Sequence, residues 1–137
     1  MIAPGHRIEG HTSEVRLVLQ APTLRELYGQ AAAALAEVMC VGSRPASGTQ
    51  PHEVQIEARD AAALLVDWLD ELIFQVEQTG LVYPAPEIRS ASAQRLNASM
   101  TGEEPIEWKT PVKAATFHDL RVEEDGDGYR AVVVVDV

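Results

Sequence analysis

The chain has 137 residues, 46% of them hydrophobic and 23% charged, and its 21 Asp and Glu against 11 Lys and Arg give a formal net charge of −10. That length supports one domain with its own core, and the acidity excludes a nonspecific nucleic-acid binder, because such a surface repels phosphates. The single cysteine, Cys40, excludes an internal disulfide framework and a cysteine-based zinc site; in its apolar stretch it reads as a buried structural thiol.

Residues 14–20 alternate, with Val15, Leu17 and Leu19 on one side, and predict a half-buried strand that Pro22 ends. Thr23-Leu24-Arg25-Glu26 then reads as a capping box, the Thr23 hydroxyl accepting from the Glu26 backbone N–H while Glu26 reaches back. The helix it opens carries Leu24, Leu27, Tyr28, Ala31, Leu35, Val38 and Met39 at helical spacing, with Gly42 as its stop. Residues 42–51 are a loop by composition. Val54, Ile56 and Ala58 mark a short strand, and Asp60 is the N-cap of a second helix. That helix buries Leu64, Leu65, Trp68, Leu69, Leu72, Ile73 and Val76, shows Asp67, Asp70, Glu71 and Glu77 to solvent, and ends at Gly80. Beyond it, 81–83 begin a strand that Pro84 and Pro86 interrupt, 87–93 and 95–100 form a hairpin, and 101–111 read as a loop. Val112, Ala114, Thr116, His118, Leu120 and Val122 are expected on one strand face. Asp125-Gly126-Asp127-Gly128 is a hairpin turn, and the β-branched run 129–137 is a central strand covered on both sides.

The fold class that follows is α+β: a single domain, 1–137, built as a two-layer sandwich of two helices on a mixed β-sheet, in the order β-α-β-α-β-β-β-β. No stretch approaches the roughly 20 apolar residues that span a bilayer, and residues 1–10 hold no apolar signal core. A cytoplasmic protein without membrane contact is therefore expected.

Three places carry potential chemistry. Asp136 interrupts the valines of the last strand, where a carboxylate must stay hydrated, find donors or bind a cation, and the Val137 terminal carboxylate adds a second pair of oxygens. Oxygen ligands favour Ca²⁺, Mg²⁺ or Mn²⁺ over zinc; a solvated terminus is the plain alternative. His11-Thr12-Ser13-Glu14 places an imidazole, two hydroxyls and a carboxylate just before the first strand, but no nucleophile elbow accompanies them. Lys113, one of two lysines, and His118 lie on the strand that starts near 112, where a lone His is more often a hydrogen-bonded core residue than a ligand. His6 and His52 fall in loop-like stretches. An EF-hand around Asp125 and Asp127 fails, since Val134 stands where the bidentate Glu is required.

Read together and in order, these segments resemble the archease family. His11-Thr12-Ser13-Glu14-Val15 resembles its His-Thr-Ala-Asp-hydrophobic opening, and Thr23-Leu24-Arg25-Glu26-Leu27-Tyr28 its first helix start. The stretch from Asp60 to Phe74 is similar to its second helix, residues 112–120 to its Val-Lys-Ala-hydrophobic-Thr-Tyr-His segment, and Val134-Val135-Asp136-Val137 to its terminal Val-Asp-Ile. The resemblance implies a non-enzymatic activator of an RtcB-type RNA-splicing ligase, with no catalytic residue of its own, that promotes guanylylation of the ligase and multiple turnover. It also implies a metal site on Glu14, Asp136 and Val137, read in the family as a calcium site, and leaves His11, Lys113 and His118 as partner-contact candidates. No direct nucleic-acid contact is implied. Three features depart from the pattern: Glu14 is one methylene longer than the family's Asp, Gly10 stands where an acidic residue is common, and Glu107-Trp108-Lys109 replaces an Arg-His-Glu stretch. The competing reading from the residues alone is a metal-dependent hydrolase using the same carboxylates with His11 or His118 as base; a binding module without metal is the third.

Overall fold

Alternation in the first apolar segment has its expected consequence in the computed structural model, which describes residues 1–10 and 12–137. Strand β2 (Glu14–Ala21) buries Val15, Leu17, Leu19 and Ala21 and leaves Glu14, Arg16, Val18 and Gln20 on its other face. Helix α1 (Leu24–Met39) starts where the Thr23 hydroxyl accepts the Glu26 N–H at 3.2 Å, and α2 (Ala61–Thr79) where the Asp60 carboxylate accepts that of Ala63 at 2.8 Å. Gly80 ends α2 in the left-handed conformation, with φ 71°. Gly42 does not end α1: the chain turns extended at Cys40, and Gly42 lies within the following strand.

Apart from 81–83, where Val82 makes only an isolated bridge to Glu103, the predicted elements occur in the predicted order, joined by three strands that composition hides. These are β1 (Gly5–Gly10), β3 (Cys40–Pro45) and β7 (Glu103–Trp108); the others are β4 (His52–Glu57), β5 (Glu87–Ala91), β6 (Arg95–Met100), β8 (Ala114–Asp125) and β9 (Gly128–Asp136). Residues 42–51 and 101–111 thus hold strand where a loop is expected. β3 and β7 pair with each other as a two-stranded surface ribbon rich in Gly, Pro and charge, with β7 also bridged to Val82 at Glu103, so neither carries an apolar alternation. β1 is an edge strand of similar kind, and His6 and His52 lie on strands rather than loops.

One sheet has the order β1-β2-β9-β8 and another β4-β6-β5, and where the sequence suggested a mixed sheet each of these pairings is antiparallel. β9 is central, with Ala131 to Val135 all buried. The helices lie on one face of the four-stranded sheet, α1 against β1, β2 and β9 and α2 against β8. The smaller strands cover them from elsewhere, β3 and β5 meeting α1 and β4 meeting α2. This second cover explains why α1 buries Ala32, Ala34 and Ala36 as well as its leucine stripe. Trp68 of α2 is wholly buried and donates its indole N–H to the Tyr28 carbonyl at 2.9 Å, locking the helices together. The Tyr28 hydroxyl donates to the Ser92 carbonyl at 2.9 Å, and burial, with Tyr129 nearby, pushes its pKa up to about 12. Cys40 is buried, as expected, its thiol pKa raised by burial and its S–H donating to the Ala36 carbonyl. Among the described residues no helix is long and apolar enough to cross a membrane.

The β8–β9 hairpin turns through Gly126 and Asp127, and Gly128 sits at φ 143°, where a Cβ would lie 2.5 Å from the Ala21 carbonyl oxygen. Gly128→Ala is therefore expected to lose about 1–3 kcal/mol to backbone strain and to the clash, read as a lowered denaturation midpoint, while Gly126→Ala, where nothing lies within 4 Å, stays near the parent.

His6 faces α1. Its Nδ1 bonds Gln30 Oε1 at 2.8 Å and its Nε2 bonds Glu37 Oε2. Burial pulls its pKa down, but the bonds to Gln30 and Glu37 outweigh this and hold it above the usual histidine value. The stabilisation from the charged ring is then complete below about pH 6.5 and fades as pH rises through the folded-state value. A His6→Gln variant should lose that slope, so stability curves of the two proteins converge on the alkaline side of the window and separate on the acid side.

Candidate functional site

The two ends of the candidate site are brought together by sheet register. β2 and β9 run antiparallel, with Glu14 opposite Asp136 and Val15 opposite Val135. The Val137 N–H donates to the Ser13 carbonyl at 3.2 Å, one step beyond. Hydrogen-bonded and non-hydrogen-bonded pairs alternate, so Glu14 and Asp136 form a non-hydrogen-bonded pair, the kind whose Cα atoms stand about 4.5 Å apart with side chains on one face. Val15 and Val135 point into the core, so Glu14 and Asp136 occupy the face turned away from the helices. Asp136 is exposed and Glu14 partly so. Like charges directly opposite destabilise a ladder. Glu14, Asp136 and Val137, identified from separate ends of the sequence, are thus one place in the fold.

Among the described residues no three His, Cys, Asp or Glu side chains surround a common point. The oxygens on offer there are the carboxylates of Glu14 and Asp136 and, one residue on, that of Val137. Such an all-oxygen, solvent-open set fits Ca²⁺, which takes several waters and tolerates irregular geometry, better than zinc.

The other candidates divide. Lys113 is adjacent, its N–H donating to the Asp136 carbonyl at 2.8 Å, with Ala114 opposite Asp136 on the far side of β9. His118 is not on a buried strand face. Between Thr116 and Arg121 the β8 register shifts, Asp119 takes φ 53°, and Phe117, His118 and Asp119 are exposed. The expected single face from Val112 to Val122 is broken there, because the extra residues bulge out of the ladder. The bulge is held by Asp119, which accepts from the Arg16 guanidinium at 2.9 Å; that bond and nearby His118 hold the Asp119 carboxyl below its usual range. His11 lies outside the described residues.

A scan against family models matches residues 6–137 to the Archease protein family (MTH1598/TM1083). The chain belongs to the archease family. It is 33% identical over 135 residues to the archease of Methanosarcina acetivorans, covering 93% of this chain and 92% of that protein. It is 34% identical to that of Thermococcus gammatolerans over 125 residues, covering 86% and 87%. In structure it is similar to protein 1598 of Methanobacterium thermoautotrophicum, with TM-score 0.74 at 26% identity, covering 97% of this chain and 99% of that one. It also shares its fold with an archease of Thermotoga maritima described as a possible chaperone, with TM-score 0.69 at 23% identity, covering 100% and 98%.

One residue of this archease-family site was hidden in the sequence. Asp70 reads as part of the solvated face of α2, yet its Oδ1 accepts the Ala115 N–H at 2.8 Å and pins α2 to the start of β8, one residue from the Asp136 pair. Burial raises its pKa against the pull of that bond, with Asp67 adding to the rise. The signal was its position, three residues from Asp67 and two before the buried Leu72, at the border of the apolar stripe, where a carboxylate can reach the next element.

Proposed function

We propose that this archease-family protein activates an RtcB-type RNA-splicing ligase, and that the acidic end of its four-stranded sheet is the working site, holding a divalent cation through Glu14, Asp136 and the Val137 carboxylate. The observation that supports this most is the cross-strand pairing of Glu14 with Asp136, a repulsive arrangement that a bound cation turns into an attractive one. Ca²⁺ is the ion proposed, with Mg²⁺ and Mn²⁺ as the alternatives to test. The cation would neutralise the pair and hold the ends of β2 and β9 in register. The chain's own parts then do the rest: Asp70 fixes the neighbouring start of β8, and Lys113, beside the pair, offers a cationic contact to an acidic or phosphate group of the ligase.

A single-turnover guanylylation assay of a cognate ligase tests the reading. The native protein is expected to accelerate formation of the covalent guanylate, and Asp136→Asn to lose most of that acceleration. No stimulation by the native protein rejects the activator role. Turnover of phosphoester substrates without any ligase would point instead to a metal-dependent hydrolase.

A further inference from the structure

The face of the four-stranded sheet turned away from the helices holds a groove of about 660 Å³ that the cation site does not use. Its side chains include Arg7, Arg16, Arg121 and Arg130. Each comes from a different strand: β1, β2, β8 and β9 in turn. Register aligns them, since Arg7 lies opposite Val18, two residues from Arg16, while Arg130 lies opposite Gln20 and Arg121 opposite Val132. All these positions share the open face. A chain of net charge −10 with only 11 Lys and Arg therefore gathers four arginines over one patch. Glu9 and Glu123 also line it.

Three of the arginines are engaged by exposed or half-exposed carboxylates: Arg7 by Glu9, Arg16 by Asp119 and Arg130 by Asp125. Arg121 has no ion-pair partner among the described residues. The more exposed pairs, Arg7 with Glu9 and Arg130 with Asp125, contribute little and exchange readily, whereas guanidinium groups bind phosphate oxygens bidentately. We propose that the groove binds a compact polyphosphate, the triphosphate of a nucleotide or an inorganic polyphosphate, with Arg121 and Arg130 as principal contacts. Its volume lies in the range of small-ligand sites. A long polyanion is disfavoured because its flanks would run over the acidic remainder of the surface. The proposal does not depend on ligase activation or on the cation.

Calorimetric titration of the full chain with inorganic tripolyphosphate, at low salt with EDTA present, tests it. Saturable binding is expected, weakened tenfold or more in Arg121→Gln and in Arg130→Gln and unchanged in Arg95→Gln, which lies outside the groove. These side chains are exposed, so both variants should fold, and the far-ultraviolet spectrum checks this. A nucleoside triphosphate should bind comparably and the free nucleoside not at all. No binding, or equal loss in all three variants, overturns the proposal. So does tighter binding of single-stranded RNA than of tripolyphosphate, which would make the groove a nucleic-acid surface.

Discussion

Asp136→Asn is expected to shift stability in opposite directions with and without calcium. In EDTA the native protein carries two like charges directly opposite each other at the end of the central ladder. Removing one should leave the variant slightly more stable, by about 0.5 kcal/mol. In calcium at about 100 times its dissociation constant, the native protein should gain about 2.7 kcal/mol by linkage, or about 8 °C in Tm for a chain of this size. The variant should gain little. Thermal melts of both proteins in the two buffers measure all four values. A native protein that calcium leaves unchanged removes the cation from the proposed site. A variant that responds as strongly as the parent places the ion somewhere else. Glu14→Asp is the companion change: it restores the shorter acid of the family pattern while keeping the charge, so the calcium response should persist.

Trp68→Ala should be the most damaging single substitution in the core. The side chain is fully buried between the helices and donates to the Tyr28 carbonyl, so truncation leaves a large cavity and removes a hydrogen bond. Aromatic-to-alanine changes at such sites lose about 3–5 kcal/mol, a large share of the about 5–15 kcal/mol available to a small domain. Chemical denaturation should show a midpoint falling in proportion, with Trp68→Phe intermediate because it keeps most of the volume. A loss below about 1 kcal/mol would mean that the interface between α1 and α2 does not depend on this side chain.

Parts of the molecule that depend on local pattern were legible from the chain. The alternation of Val15, Leu17 and Leu19, the caps at Thr23 and Asp60, the stop at Gly80 and the valines of β9 each follow from backbone geometry and apolar periodicity within a few residues. Strands β1, β3 and β7 were not legible, because β3 and β7 form a surface ribbon where no apolar face is required and β1 is an edge strand with Ile8 as its single apolar side chain on the core. The bulge at Asp119 was hidden for a related reason: it is stabilised by Arg16, more than a hundred residues away in sequence. Asp70 likewise has an ordinary acidic helix position until β8 supplies the Ala115 N–H.

By itself the sequence determined the helices and core strands through local spacing and marked Asp136 and Val137 as carboxylates closing a run of valines, while Glu14 joined them through the resemblance to the archease family. Only the tertiary structure decided that Glu14 and Asp136 are cross-strand neighbours, that His118 stands in solvent, and that arginines from four strands share one face. Those outcomes rest on strand register and sheet order, which are set by the summed packing of distant segments rather than by any stretch read alone.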